Sequence, residues 1–282
     1  MIATASDFRS AADARRARND TMGFVPTMGA LHAGHASLIR RARDDCPAVA
    51  VSIFVNPEQF GPNEDFAAYP RDEQGDIAAC EAMGVDLLFA PPGEEMYPAG
   101  TELVEPEPGA KGEVLEGASR PGHFRGVLKA VHRLLDLAGP CHAYFGEKDA
   151  QQLFLVRRMV SELRLHVNVV GCPTVRESDG LAVSSRNVQL SAEERDQAGC
   201  LFLGLSEAAE LARKGERDTS ALVAAIAREV GATPLAKIDY AAVVDDRTFD
   251  QPRTIEGFAR ALVAARFPGA RLIDNLALPT GG

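Results

Sequence analysis

The chain has 282 residues, of which 46% are hydrophobic and 25% are charged. This composition is typical of globular proteins, and the length suits one large domain or two smaller ones. The formal net charge of −10 argues against nonspecific nucleic-acid binding, which depends on neutralising phosphates.

The N-terminus and the cysteines indicate where the protein acts. No apolar run approaches the roughly 18 residues that cross a membrane, and residues 1–20 lack the apolar core of a secretory signal. Residues 1–20 are predicted to form an amphipathic surface helix. The five cysteines have no CxxC spacing, which is typical of reduced thiols and not of a disulfide framework or a zinc site. We therefore expect a cytoplasmic protein that binds neither membranes nor nucleic acid.

The first 170 residues alternate short apolar runs with helical patterns. Strands are predicted at 22–27, 48–56, 85–91, 141–147 and 165–172. Helices are predicted at 35–44, 73–83, 124–138 and 149–163. Several strands are apolar on both faces, as buried parallel strands are. The alternation predicts a parallel α/β sheet whose ligands lie beyond the carboxyl ends of its strands.

Two regions depart from this alternation. Residues 91–123 are rich in Pro, Gly and Glu and are interpreted as short strands or a flap over a site, or equally as a surface excursion. After residue 174, helices at 191–214 and 218–230 precede strands at 236–246, 259–267 and 271–278. This order predicts a smaller α+β domain, so the predicted domains are residues 1–174 and 175–282.

The segment PTMGALHAGH, residues 26–35, joins the first strand to a helix. A glycine-bearing turn that leads into a helix exposes backbone N–H groups to an anion such as phosphate. His32 and His35 would then face one ligand, and Gly34 would allow a close approach to the backbone. Zinc is disfavoured because the spacing is three and no third ligand is near. Two structural histidines at a helix start are the alternative.

Three further segments suggest anion binding. FGEKDAQQ, residues 145–152, places Lys148 at a helix start, where the helix dipole does not favour a cation. VRESDGLAVSSRN, residues 175–187, offers hydroxyls and a guanidinium to phosphate oxygens. SRPGHFRGVLKAVHR, residues 119–133, is basic without acids. A solvated helix start, a plain loop and a balanced basic helix face are the respective alternatives.

The segment SIFVNPEQFG, residues 52–61, carries Gln59 just after the second strand. A neutral amide there can bind a polar substrate.

Taken together, these ordered motifs resemble those of the pantothenate synthetase family within the nucleotidylyltransferase superfamily. The resemblance covers nearly the whole chain and is sharpest from residue 22 to 190. It implies a Rossmann-like N-terminal domain, a smaller C-terminal domain that acts as a lid, and a homodimer. It also implies that ATP, with Mg²⁺, activates pantoate as pantoyl adenylate before β-alanine displaces AMP to give pantothenate.

The resemblance also implies roles for individual residues. The predicted catalytic residues are His32, His35, Lys148 and Arg186. The predicted ATP-binding residues are Met28, Gly29, Ala30, Leu31, His32, Ala33, Gly34, His35, Gly146, Glu147, Lys148, Asp149, Val175, Val183, Ser184, Ser185 and Arg186. Gln59 and Gln152 are predicted to bind pantoate or β-alanine. Asp149 would meet Mg²⁺ or the ribose side of ATP, and the metal ligands stay unassigned.

Departures from the family pattern are small. Val183 stands where methionine is usual, Glu58 fills a variable position, and Gln189 replaces a frequent tyrosine. None of them removes a charged or hydrogen-bonding group from the predicted site. Two rival hypotheses remain: a nucleotidylyltransferase that keeps the nucleotidyl group in its product, and a non-catalytic nucleotide sensor.

Overall fold

The computed structural model describes residues 1–62, 64 and 66–279 of the chain. It divides into two compact units. The first contains Met1–Glu147 and Gln151–Pro173, and the second contains Lys148–Ala150 and the chain from Thr174 onward. This division lies one residue from the predicted boundary at 174/175, but no sequence pattern indicated that Lys148–Ala150 groups with the second unit.

Within the described residues, the first unit is built on five strands: β1 (Met22–Thr27), β2 (Ala48–Ile53), β3 (Leu87–Phe89), β4 (Cys141–Gly146) and β5 (Val167–Cys172). They are parallel and lie in the order β3-β2-β1-β4-β5. The predicted Rossmann-like parallel sheet is therefore confirmed. The strand order reverses direction between β1 and β4, and ligands of open α/β sheets bind at the carboxyl ends of such neighbours.

The sheet of the first unit is covered on both faces because its strands are apolar on both faces. Phe24 and Ala50 pack into one core cluster, while Val25, Val49 and Val51 pack into another. Successive strand residues point to opposite faces, so the two clusters lie on opposite sides. The helices of this unit are α1 (Ala5–Arg16), α2 (Ala33–Asp45), α3 (Glu73–Ala82), α4 (Gly93–Met96), α5 (Glu116–Ser119), α6 (His123–Ala138) and α7 (Ala150–Glu162).

Residues 91–123, all of which are described, contain no strand. They form α4, a 3₁₀ turn at Ala110–Gly112 and α5. Of the alternative interpretations, short strands are therefore excluded, and a flap or a surface excursion stays open. Prolines and glycines in this segment interrupt any ladder of backbone hydrogen bonds.

The second unit is an α+β structure, as predicted. Its described residues form α8 (Ala192–Ala198), α9 (Cys200–Arg213), α10 (Thr219–Gly231), β6 (Lys237–Asp245), β7 (Ala259–Arg266) and β8 (Arg271–Leu278). The three strands are antiparallel in the order β6-β7-β8. α9 packs on β7 and β8, and α10 packs on β6. The single helix predicted at 191–214 is two helices that meet at Gly199.

Candidate functional site

The predicted site residues fall into both units. The first unit holds Met28–His35, Gln59, Gly146, Glu147 and Gln152, and the second holds Lys148, Asp149, Val175 and Val183–Arg186. In the first unit, β1 and β4 are neighbours in the sheet. Residues 28–35 leave the carboxyl end of β1, and Gly146 and Glu147 lie at the carboxyl end of β4, which is the ligand-binding position in this topology.

The turn at residues 28–31 is held by Asp76, a residue that the sequence analysis did not single out. Gly29 and Ala30 have φ values of 79° and 50°, a region that favours glycine. The buried Asp76 carboxylate accepts hydrogen bonds from the backbone N–H groups of Ala30 and Leu31, at 2.8 and 2.7 Å. A Cβ atom on Gly29 would lie 2.8 Å from Asp76 Oδ2. The acid on α3 therefore fixes the strained start of the histidine segment.

Replacing Asp76 by alanine is expected to weaken ATP binding about tenfold and to lower the free energy of unfolding by about 1–3 kcal/mol, because two backbone donors lose their acceptor. Titration with ATP and denaturant unfolding measure the two effects. Asp72→Ala is the matched control, since Asp72 caps the same helix through Gly75 N at 3.0 Å without contacting the turn. Equal weakening of ATP binding by both variants would contradict this role.

His32 and His35 form the N-terminus of α2. His32 is the N-cap, and its Nδ1 accepts a hydrogen bond from Gly34 N at 3.1 Å. His35 Nδ1 accepts one from His32 N at 3.4 Å, and the two rings stack with centroids 4.0 Å apart. An imidazole nitrogen that accepts carries no proton, so the hydrogen-bond network assigns the proton of each neutral ring to Nε2. Both rings are therefore Nε2–H donors.

Gly34 has a local structural reason to be glycine, beside its predicted approach to the nucleotide. A Cβ at this position would lie 2.9 Å from His32 Cε1. The His32 ring therefore lies close to the backbone of Gly34. Glycine is needed here so that the ring can cap its own helix.

Gln59 lies on the 3₁₀ turn Pro57–Gln59 that follows β2. Its Oε1 accepts a hydrogen bond from Asn56 Nδ2 at 3.1 Å, and its Nε2 lies 3.0 Å from Met28 Sδ. The structure therefore brings the predicted substrate amide next to Met28, one of the predicted ATP-binding residues. Asn56 Nδ2 also donates to Gly126 O at 3.0 Å, which ties the turn to α6.

Gln151 and Gln152 are adjacent but differ in their surroundings. Gln151 is buried, and its side chain joins three backbone groups, those of Glu116, Lys111 and Val114, at 3.1, 2.7 and 2.8 Å. Gln152 is half-buried. Gln151 thus has a structural role, and Gln152 stays the predicted ligand-binding amide.

The cations of the basic segment 119–133 are balanced by carboxylates. Each of its cations pairs with a carboxylate: Arg120 with Glu64 at 2.6 Å, Arg125 with Glu107 at 3.0 Å, Lys129 with Glu105 at 2.8 Å, and Arg133 with Asp136 at 3.5 Å. Of the two interpretations, these ion pairs favour the balanced basic face, because acids from outside the segment neutralise its charge.

His123 supports Gln59 from within that segment. It is buried, its Nδ1 lies 2.8 Å from Gln59 O, and its Nε2 lies 3.0 Å from Arg120 Nη1. A carbonyl only accepts and a guanidinium only donates, so the ring is neutral with its proton on Nδ1. Burial, with the nearby Arg120 charge, lowers the pKa of His123 from 6.5 to about 4.

This shift predicts how stability depends on pH. Because the pKa of His123 in the folded chain is below its unfolded value, protonation favours the unfolded chain. The contribution to stability is complete above pH 6.5 and declines as the pH falls from 6.5 toward 4. Near pH 5 the loss amounts to about 2 kcal/mol.

Denaturant unfolding of the original protein and of His123→Asn, at neutral pH and near pH 5, measures this loss. The asparagine keeps a donor toward Gln59 O but does not titrate. We expect the original protein to lose about 2 kcal/mol more than the variant between the two pH values. Parallel losses would show that His123 is not the titrating group.

In the second unit, residues 175–186 form a hairpin. Val183 N donates to Val175 O at 2.9 Å, so the two valines predicted near adenine are neighbours. The predicted turn is confirmed at Asp179–Gly180, where Gly180 has a φ of 90°. Ser184 caps the 3₁₀ turn Ser185–Gln189 by accepting from Arg186 N at 3.3 Å. The hydroxyl-bearing residues and Arg186 thus share one turn.

Lys148 and Asp149 lie on the 3₁₀ turn Glu147–Asp149. Lys148 is 20% exposed, and its Nζ is 4.0 Å from Asp149 Oδ1, which is half exposed. No group of three or more metal-ligating side chains occurs in the part of the chain that the structure describes. All five cysteines are buried free thiols. No described helix is long and apolar enough to cross a membrane.

Known proteins resemble this chain over nearly its whole length. The family model described as pantoate-beta-alanine ligase matches residues 1–277. The chain is 51% identical over 285 residues to a pantothenate synthetase of Chloroflexus aurantiacus, covering 100% of this chain and 99% of that protein. It is similar to the crystal structure of pantothenate synthetase from Thermus thermophilus, with a TM-score of 0.91, 48% identity and 98% of each chain covered.

A solved structure with bound ligands is also similar to this chain. The pantoate-beta-alanine ligase from Francisella tularensis, complexed with beta-gamma ATP and beta-alanine, has a TM-score of 0.79 and 35% identity to this chain. The match covers 100% of this chain and 99% of that one.

Proposed function

The chain belongs to the pantoate-beta-alanine ligase family and is a ligase of that type, and we propose that it joins pantoate to β-alanine through a pantoyl adenylate. In the first step a pantoate carboxylate oxygen attacks the α-phosphorus of ATP, and the bond to the β-phosphate breaks to release pyrophosphate. In the second step the β-alanine amine attacks the acyl carbon, the acyl–oxygen bond breaks, AMP leaves and the amine gives up its proton.

The observation that carries this proposal is the position of His32 and His35 at the N-terminus of α2, beyond the carboxyl end of β1, with each Nδ1 accepting a backbone hydrogen bond and Nε2–H assigned as the donor. A helix N-terminus with two such donors is suited to phosphate oxygens. Because the carboxylate nucleophile is already ionised near neutral pH, the first step needs stabilisation of the transferring phosphate and not a base. His32 and His35 supply hydrogen bonds for that purpose, and Lys148 and Arg186 supply positive charge.

The remaining predicted residues bind and orient the substrates. The segment Met28–Gly34 with Gly146 and Glu147 approaches the nucleotide largely through its backbone, and Val175 and Val183 pack near adenine. Ser184 and Ser185 donate to phosphates, while Gln59 and Gln152 bind the hydroxyls of pantoate. In the second step positioning dominates, because the adenylate is already activated.

Mg²⁺ is proposed to enter with ATP. Mg²⁺ commonly binds through substrate phosphates and one or two carboxylates instead of an all-protein cage. Asp149, half exposed next to Lys148, is proposed to meet either the ion or the ribose side of ATP. The ion would neutralise phosphate charge.

We further propose a cytoplasmic homodimer in which residues 1–174 bind nucleotide and pantoate and residues 175–282 act as a lid. The family resemblance supports the dimer and the lid, and the five buried free thiols suit a reducing compartment. Sedimentation of the purified protein tests the dimer.

The test of the proposed reaction is incubation with ATP, Mg²⁺, pantoate and β-alanine. We expect pantothenate, AMP and pyrophosphate in equal amounts, and pantoate-dependent exchange of labelled pyrophosphate into ATP without β-alanine. Formation of ADP, or of a product that retains the nucleotidyl group, would contradict the proposal. So would folded protein that forms no AMP.

A further inference from the structure

Two adjacent buried polar residues, Asp274 and Asn275, interrupt the apolar strand β8. Each is 3% exposed. Neighbouring residues of a strand point to opposite faces, so a polar side chain is buried on each side of the sheet in the second unit. Burying polar groups is unfavourable unless they are hydrogen-bonded, and the partners of these two residues indicate what they do.

Asp274 holds the hairpin of residues 175–186. Its carboxylate pairs with Arg176 in bidentate geometry, at 2.6 and 2.9 Å. The same guanidinium donates to Gly180 O at 2.9 Å and to Asn275 O at 3.0 Å. The hairpin that carries the proposed phosphate-binding turn is thereby tied to β8.

Asn275 holds a different segment. Its Oδ1 accepts from Arg260 Nη1 at 2.6 Å, and its Nδ2 donates to the backbone carbonyl of Lys148 at 2.8 Å. Arg260 is itself fixed by Asp246, at 2.7 and 3.1 Å. A guanidinium only donates and a carbonyl only accepts, so the amide has one orientation that satisfies both. Asparagine joins these groups where aspartate, which lacks the donor, would not.

We infer that Asn275 is a positioning residue for Lys148. The bond crosses 127 residues of sequence and fixes the backbone from which the Lys148 ammonium extends. The same hydrogen bond joins Lys148–Ala150 to the second unit, with which this segment groups. The inference rests on the proposed role of Lys148 at the ATP phosphates. It predicts that Asn275 matters for adenylate formation and not for the attack of β-alanine.

The variant that tests this is Asn275→Asp, which keeps the acceptor for Arg260 and removes the donor to Lys148 O. It also adds a negative charge, so Asn275→Ala, which removes the donor without adding charge, is read beside it. In single-turnover experiments with ATP and pantoate, we expect adenylate formation to slow by about 10- to 50-fold, since small misplacements of a charged group near a reacting phosphate have effects of this size. Attack of β-alanine on synthetic pantoyl adenylate should stay within about twofold of the original rate, because that step does not need Lys148 in this mechanism.

Asn275→Ala is measured alongside in case the aspartate does not fold, and the same selective loss is expected. Leu222→Ala, in the buried core of the same unit, is the control for a general loss of stability, and it should not separate the two steps. In a Lys148→Ala background, Asn275→Asp should slow adenylate formation by less than about twofold, because residues that act through one another are not additive.

The outcomes distinguish the two proposals. If the original protein forms no pantothenate, the proposed function fails. If it does, and Asn275→Asp and Asn275→Ala either keep normal adenylate formation or slow both steps equally, the positioning role is overturned.

Discussion

Replacing Lys148 by alanine is expected to slow adenylate formation by about 150-fold, the equivalent of about 3 kcal/mol for one preorganised charge at a transferring phosphate. The side chain is only 20% exposed, and Asp149 Oδ1 is 4.0 Å away, too far for a strong hydrogen bond. The ammonium is therefore available to a second anion. Negative charge moves toward the leaving pyrophosphate during the step, so the loss should fall mainly on the rate and less on ATP affinity.

Rapid quenching of enzyme-bound ATP with pantoate, followed by quantification of pyrophosphate, measures this rate. Lys148→Arg keeps the charge and should retain more activity than Lys148→Met, which keeps only the length. Lys214→Ala is the matched control, since Lys214 is a cation of the same unit that is 69% exposed. Pyrophosphate release by Lys148→Ala at the original rate would remove Lys148 from the mechanism.

Much of the first unit could be predicted because the sequence patterns that specify its strands and helices are local. The apolar runs at β1, β2, β4 and β5 and the glycine turn after β1 predicted the parallel sheet and placed the histidines at its ligand-binding edge. The histidines could not be assigned a tautomer, because that depends on Nδ1 contacts with Gly34 N and His32 N that exist only once the helix has formed.

The residues that were missed act over long sequence separations. Asp76 lies in an ordinary helical pattern, and only the fold brings it to the backbone of Ala30 and Leu31, 46 and 45 residues away. Likewise, only the fold brings Asn275 to the backbone of Lys148, 127 residues away. The basic segment could not be decided from its own residues because its acids, such as Glu64 and Glu107, come from other parts of the chain. Local patterns predict elements and their ends, whereas support for a site comes from contacts that only the tertiary fold creates.

The second large effect is expected at His35, where two substitutions separate its two nitrogen atoms. His35→Asn places an amide oxygen where Nδ1 accepts from His32 N. This hydrogen bond is therefore kept, while the Nε2–H donor is lost. His35→Gln reaches the Nε2 position with an amide N–H and loses the hydrogen bond from His32 N. We expect the asparagine variant to slow adenylate formation by about 10²- to 10³-fold, the usual effect of removing one such donor.

The glutamine variant decides between two roles for His35. An amide N–H can donate a hydrogen bond to a phosphate oxygen but cannot transfer a proton. If His35 acts as a neutral Nε2–H donor, His35→Gln should retain adenylate formation within about tenfold. The variant loses chiefly the hydrogen bond from His32 N and keeps a donor to the phosphate. If His35 instead transfers a proton, glutamine should be as slow as asparagine. Pyrophosphate release in single turnovers, with ATP titration and unfolding of both variants as controls, measures the difference. Nδ1 already accepts a hydrogen bond from the backbone, so only Nε2 can either donate a hydrogen bond or transfer a proton. Equal losses in two folded, ATP-binding variants would therefore contradict the hydrogen-bonding role.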